Sequence, residues 1–301
     1  MTMPNFLVIG VAKAGTTSLH AYLNQHPQIA MSQIKEPDFF EYGEVDQPPP
    51  ASSAPYPYAI QTLTTYQALF ADLPTTALHG EASPSNFEAR ACERISRYLP
   101  NAKFICILRQ PVDRAYSAFA MHTKRGKEPE TDFCRAYQDS ARRWQKRFEG
   151  HLPAYACRNA AWYVERLQDW LARFPRQQLH ISLYDDLKDD PVTFVRKVYA
   201  FLEVDDSFTP NVSQIYNQGA GIRSTSVNQF VRQNNRVKQW IRPWLPQPLR
   251  QKITRWLTNL NQVPLPPLDP SLRNELTRPQ HDDILRLQDI VGRDLSNWLA
   301  K

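Results

Sequence analysis

The chain has 301 residues, 42% of them hydrophobic, and a formal net charge of +6, which is enough apolar material for one large domain or two small ones. Nine glycines against 25 prolines exclude a flexible low-complexity chain. No run approaches the roughly 18 apolar residues of a membrane-spanning helix, and no signal-peptide pattern is present, so a cytoplasmic protein without a transmembrane segment is expected. The positive charge is local: no acidic residue lies between Asp206 and Asp269, an interval that carries eight Lys and Arg residues from Arg223 to Arg255. A patch of this kind points to an anionic ligand or partner surface rather than to nucleic acid. Cys92, Cys106, Cys134 and Cys157 lack metal-ligand spacing and read as buried thiols.

Phe6-Leu7-Val8-Ile9 is a continuous apolar run that predicts a buried parallel strand, ended by Gly10. A helix follows, with Thr16, Thr17 and Ser18 as capping residues, an apolar face of Leu19, Tyr22 and Leu23, and a stop at His26-Pro27. Strand, glycine loop and helix N-terminus together make an anion cradle of backbone N–H groups. Gly10 and Gly15 have the spacing of a Walker A loop, but Thr16 stands in the lysine position and Lys13 lies inside the loop. The arrangement for a metal-bound nucleoside triphosphate is therefore absent.

Lys35-Glu36-Pro37-Asp38 leads into an apolar segment, and the position of Glu36 before Pro37 predicts extended backbone that aims its carboxylate into a cleft. Glu44 to Tyr58, rich in proline, reads as a surface loop. A short helix is expected over Thr64 to Leu73, a strand over Ala77 to Gly80 followed by Glu81-Ala82-Ser83-Pro84, and a helix near Glu88 to Tyr98. Lys103 to Leu108 is the next strand. It runs into Arg109-Gln110-Pro111, where proline suits the first turn of a helix continuing to about Lys124.

Further helical stretches are expected over Asp132 to Phe148 and Ala160 to Phe174, then a strand over Gln178 to Leu183 ending in Tyr184-Asp185-Asp186-Leu187, and a helix over Pro191 to Leu202. Asn217 to Ser226 reads as a polar loop and Val227 to Trp240 as helical. Leu249, Ile253, Trp256, Leu257 and Leu260 form an apolar helical stripe, so 243–262 is a core helix, a docking helix or a lid. Pro279 to Trp298 closes the chain as a helix.

Strands alternating with helices give an α/β fold: a P-loop-like central parallel sheet flanked by helices on both faces, with a helical C-terminal region. The expected organisation is a single domain over 1–301, with 217–268 as a candidate lid or acceptor-binding region. Ligands in such folds bind beyond the strand C-termini, where the loops at Lys13, Glu81, Arg109 and Tyr184 fall.

The first motif, from Phe6 to Thr17, resembles the 5′-phosphosulfate loop of sulfotransferases that use 3′-phosphoadenylyl sulfate (PAPS). Leu108 to Ser117, about ninety residues later, resembles their 3′-phosphate motif. The likeness extends through Lys35-Glu36-Pro37, Glu81-Ala82-Ser83-Pro84, Tyr184 to Leu187 and Gly221-Ile222-Arg223-Ser224, and is greatest to the bacterial and heparan-sulfate-type branch. It implies in-line transfer of the sulfuryl group of PAPS to a hydroxyl, or as second choice an amine, with no metal and with adenosine 3′,5′-bisphosphate as product.

The site it implies has Lys13 and Glu36 as catalytic residues, Glu36 being the general base. Lys13, Ala14, Gly15, Thr16, Thr17, Ser18, Arg109, Ser117 and Arg223 are its cofactor-binding set. Arg109 is a permanently charged fork suited to phosphate; its alternative is an ion pair with Asp113 or Asp186. Histidine is the alternative base, at His20, His26, His79 or His122. Ala82 stands where heparan-type members often have lysine, which weakens the case for a highly sulfated polysaccharide as acceptor. A hydroxylated small molecule, a saccharide or a carrier-bound acyl chain all fit, and the oligomeric state is not legible. The rival readings are a P-loop kinase or nucleotide hydrolase, and a non-catalytic nucleotide-binding scaffold that docks an anionic partner.

Overall fold

The computed structural model describes residues 2–43, 59–128, 130–139, 160–214, 220–223 and 260–299. Strand β1 (Phe6–Gly10) is followed by α1 (Thr16–Leu23), β2 (Ile29–Met31), α2 (Phe39–Tyr42), α3 (Leu63–Ala68) and β3 (Leu78–Ala82). Then come α4 (Ala89–Tyr98), β4 (Lys103–Leu108), α5 (Pro111–Lys124), α6 (Phe133–Gln138) and α7 (Ala160–Leu171). The chain continues through β5 (Leu179–Leu183), α8 (Tyr184–Asp189), α9 (Pro191–Leu202), β6 (Ala220–Ile222), β7 (Gln262–Pro264), α10 (Pro270–Thr277) and α11 (His281–Val291).

Five strands form one parallel sheet in the order β2-β3-β1-β4-β5. All five residues of β1 are buried, as a parallel strand flanked by helices requires. Removing each such large apolar side chain from water stabilises the fold by about 1.5–3 kcal/mol. Close packing reaches the backbone at Gly80, where an added Cβ would lie 2.1 Å from the Phe6 ring.

From β1 the chain crosses to the edge strand β2 and steps back inward to β3 on one side, then passes β1 to β4 on the other side and continues outward to β5. The switch point of the topology therefore lies between β1 and β4, and ligands in open α/β sheets sit at that crevice, beyond the strand C-termini. The loop holding Lys13 follows β1, and Arg109 follows β4.

Several local expectations are corrected. No side chain caps α1; its N-cap is Gly15, and Thr16 to Ser18 lie inside the helix. The turn at Tyr184 is helical, not a loop. The polar loop at Asn217 contains β6, which pairs antiparallel with β7 and packs along α5. The C-terminal helix ends at Val291, because Gly292 adopts the left-handed conformation that stops a helix (φ 70°). No helix among the described residues is long and apolar enough to cross a membrane. The expected helix over Val227 to Trp240 and, of the apolar stripe, Leu249, Ile253, Trp256 and Leu257 lie outside the described residues, while Leu260 is exposed.

Candidate active site

The loop after β1 is shaped by backbone conformation. Lys13 and Gly15 both have positive φ, 72° and 89°. A Cβ on Gly15 would also meet Leu187 Cδ2 at 2.5 Å, so both strain and space demand glycine. The loop is tied to the sheet by the Val11 N–H donating to the Ile107 carbonyl at 2.9 Å, and closed by Ala14 N–H to Val11 at 3.2 Å. Ala14, Thr16 and Ser18 are buried. With no side chain capping α1, its first N–H groups and dipole converge at the crevice.

Lys13 is brought to the end of β4. Arg109 Nη1 donates to the Lys13 carbonyl at 2.9 Å, and the Lys13 ammonium faces the Met121 sulfur on α5 at 3.6 Å. Burial, then Arg109 and Arg125, pull the Lys13 pKa down to about 8, while Glu36 acts in the opposite sense. Lys13, Arg109 and Arg125 gathered against the single opposing influence of Glu36 favour a highly charged anionic ligand.

Neither carboxylate that the sequence offered to Arg109 pairs with it. Asp113 binds Arg273 Nε at 3.1 and 3.2 Å, and Asp186 takes both terminal nitrogens of Arg293 at 2.9 and 3.0 Å. Arg109 instead lies 4.5 Å from the centre of the Tyr184 ring, and its carbonyl accepts from the Tyr163 hydroxyl at 2.9 Å. Ser117 is buried on α5. Arg223 is exposed at the end of β6, its N–H donating to the Asn261 carbonyl at 2.8 Å, and β6 packs along the helix that carries Ser117.

Glu36 is not in extended backbone: its φ is 61°. Its N–H donates to the Ala82 carbonyl at 3.1 Å, and this tie to the end of β3 accompanies a conformation that the preceding-proline rule alone disfavours. The Glu36 side chain is about half exposed and pairs with Lys35. Beside it lies a network that sequence reasoning did not assign. The Asp38 N–H donates to Ser83 Oγ at 3.2 Å, Ser83 Oγ donates to Glu81 at 2.7 Å, and Asn86 donates to the other Glu81 oxygen at 2.6 Å. Ser85 donates to Asp38 at 2.5 Å. Burial, outweighing these hydrogen bonds, pushes Asp38 up to about 7 and Glu81 up to about 8.

Most of the candidate histidines are engaged. His26 uses both ring nitrogens, one on the Asp205 carbonyl and one accepting from the Gln28 N–H, and His79 meets the Pro74 carbonyl at 2.9 Å. Burial and neighbouring cations lower His122 to about 3. His20 keeps a buried Nε2 without a hydrogen-bond partner. No group of three His, Cys, Asp or Glu suited to a metal occurs among the described residues.

Tyr184 is the site residue whose role sequence reasoning missed, although its motif was visible. An aromatic residue immediately after the β5 run falls at the same level as the arginine after β4.

Comparison with known proteins shows the family. The chain is 31% identical over 226 residues to the bifunctional heparan sulfate N-deacetylase/N-sulfotransferase of Drosophila melanogaster, covering 67% of this chain and 20% of that protein. It is 27% identical over 302 residues to the human bifunctional heparan sulfate N-deacetylase/N-sulfotransferase 3, covering 99% of this chain and 31% of that protein. The chain thus spans no more than about a third of the length of these relatives. A crystal structure of a sulfotransferase from Alicyclobacillus acidocaldarius superposes with a TM-score of 0.72 and 27% identity over 99% of both chains. Residues 4–210 match the Sulfotransferase family, and the chain belongs to that family of transferases.

Proposed function

We propose that this sulfotransferase uses PAPS as donor and passes its sulfuryl group in line to a hydroxyl or amine, without a metal. The observation that carries the reading is the union of Lys13 and Arg109 at the β1/β4 crevice, with both candidate carboxylate partners of Arg109 held elsewhere. The residues fit the donor: a glycine-shaped cradle, a half-buried lysine and an arginine that neither Asp113 nor Asp186 engages. When bound, PAPS supplies the sulfuryl group and leaves as adenosine 3′,5′-bisphosphate.

Lys13 and the N–H groups of Gly15 to Ser18 stabilise charge on the leaving phosphate, the electrostatic role that dominates such transfers. Arg109 and Ser117 hold the 3′-phosphate, with Arg223 contributing from the end of β6. Glu36, half exposed, takes the proton of the acceptor. Thr16 in the Walker lysine position is the reason to set aside a metal-bound triphosphate.

The relatives are named as N-sulfotransferases, which favours a saccharide acceptor and raises the amine beside the hydroxyl. The test is transfer from labelled PAPS to an amino sugar oligosaccharide, its N-acetylated form and a simple hydroxylated compound, with and without chelator. Transfer to the free amine alone assigns N-sulfation, and equal transfer to the N-acetylated form assigns a hydroxyl. No transfer from PAPS to any acceptor, together with ATP binding that needs Mg²⁺, would overturn the reading.

A further inference from the structure

The last ladder pair between β4 and β5 is Leu108 with Leu183. Arg109 and Tyr184 each lie one residue beyond it, so no sheet hydrogen bond sets the gap between the guanidinium and the ring. A residue far along the chain touches both turns. The Trp298 indole Nε1 donates to Asp185 Oδ2 at 3.0 Å, beside Tyr184. The Trp298 carbonyl accepts from Gln110 Nε2 at 3.4 Å, beside Arg109. Gln110 Nε2 also donates to Thr277 Oγ1 at 2.9 Å, while Gln110 Oε1 accepts from the Asp113 N–H at the start of α5. Trp298 is 1% exposed, and bonds made in so dry a setting are stiffer than the same bonds in water.

We propose that Trp298 is a positioning residue for 3′-phosphate recognition, linking the turns after β4 and β5 so that Arg109 and Tyr184 keep their spacing. The proposal rests on Arg109 being the 3′-phosphate ligand. Trp298→Phe retains most of the packing but lacks the donor, and it leaves the partly exposed Asp185 free to turn to water. Asp185→Ala removes the same bond from the other end without touching the core, and Asp185→Asn keeps an acceptor oxygen.

Titration calorimetry on the full chain, with adenosine 3′,5′-bisphosphate and separately with AMP, reads the effect. Trp298→Phe and Asp185→Ala should each weaken bisphosphate binding about three- to tenfold, the worth of one hydrogen bond, while AMP affinity stays unchanged. The double variant should be no weaker than either single one, and Asp185→Asn should stay within about twofold of the parent. Equal losses for both nucleotides, or no loss, overturn the positioning role, because a general folding lesion does not single out the 3′-phosphate. Arg109→Ala separates the two levels. If it leaves the bisphosphate preference intact, the 3′-phosphate reading fails and the proposal falls with it; if it abolishes the preference while Trp298→Phe does not, the positioning role alone is wrong.

Discussion

Arg109 donates a 2.9 Å hydrogen bond from its guanidinium to the carbonyl of Lys13, across 96 positions of chain. This bond joins the two motifs that the sequence separates, and it holds the Lys13 carbonyl in a loop whose φ of 72° at that residue is otherwise unfavourable. The Arg109 guanidinium also lies 4.5 Å from the centre of the Tyr184 ring, while Asp113 and Asp186 pair with Arg273 and Arg293.

Cofactor discrimination should follow from Arg109. Binding of adenosine 3′,5′-bisphosphate should be much tighter than binding of AMP, and Arg109→Ala should erase the difference. The loss corresponds to about 1.5–3 kcal/mol for one charge-assisted contact, or roughly ten- to more than a hundredfold. Calorimetry of the two nucleotides checks it, and equal affinity in the unmodified protein sinks the assignment.

Lys13 supplies a pH test. Its pKa in the free protein is lowered to about 8 by burial and by Arg109 and Arg125, whereas a bound phosphate raises it again. Above about pH 8 binding must then take up a proton, so bisphosphate affinity should fall as pH rises, by up to about tenfold per unit. Lys13→Ala should flatten that slope and lower turnover more than it lowers affinity for the inert product, since leaving-group charge develops during reaction. A slope unchanged in Lys13→Ala would assign the titration to another group.

The sheet and the site differed in how much of each was legible. Lys103–Leu108, Pro111–Lys124 and Pro191–Leu202 are found where an apolar run or a first-turn proline places them, because those signals are local. Strand β2 is three residues long and has no period to read. The β6–β7 ribbon joins Ala220 to Pro264, a pairing that no local window contains. The conformation of Glu36 was misread for a related reason: the preceding-proline rule describes an isolated dipeptide, whereas the Ala82 carbonyl and the Ser83 hydroxyl hold this segment from outside it.

The buried carboxyls Glu81 and Asp38 set a stability profile. Both folded pKa values are raised, to about 8 and about 7, so the folded state binds more protons than the unfolded chain between about pH 4 and pH 8. Their contribution is fully present below about pH 4 and is lost progressively as pH rises from there to the folded values of about 7 and 8. Asn86 Oδ1 is buried without a partner, and turning that amide would give a protonated or amidated residue 81 an acceptor. Glu81→Gln should therefore stabilise the protein above pH 8 by at least about 1 kcal/mol, with a smaller effect near pH 5. Thermal unfolding of parent and variant at both values decides it; a difference independent of pH would mean that Glu81 is ionised throughout.

The base is tested by Glu36→Gln, which keeps the shape and removes the proton acceptor. Turnover with PAPS and the best acceptor should drop by about two to four orders of magnitude, with bisphosphate affinity nearly unchanged. The comparison that gives this outcome meaning is histidine. His26 and His79 spend ring nitrogens on backbone carbonyls, and His122, lowered to about 3, is too weak a base to compete near neutrality. His20 is different: it feels both Lys35 and Glu36, and its pKa is lowered first by burial and then by Lys35, so its imidazole is neutral at pH 7. If Glu36→Gln retains near-normal turnover while His20→Asn abolishes it, the base is His20, and Glu36 acts only as the ion-pair partner of Lys35.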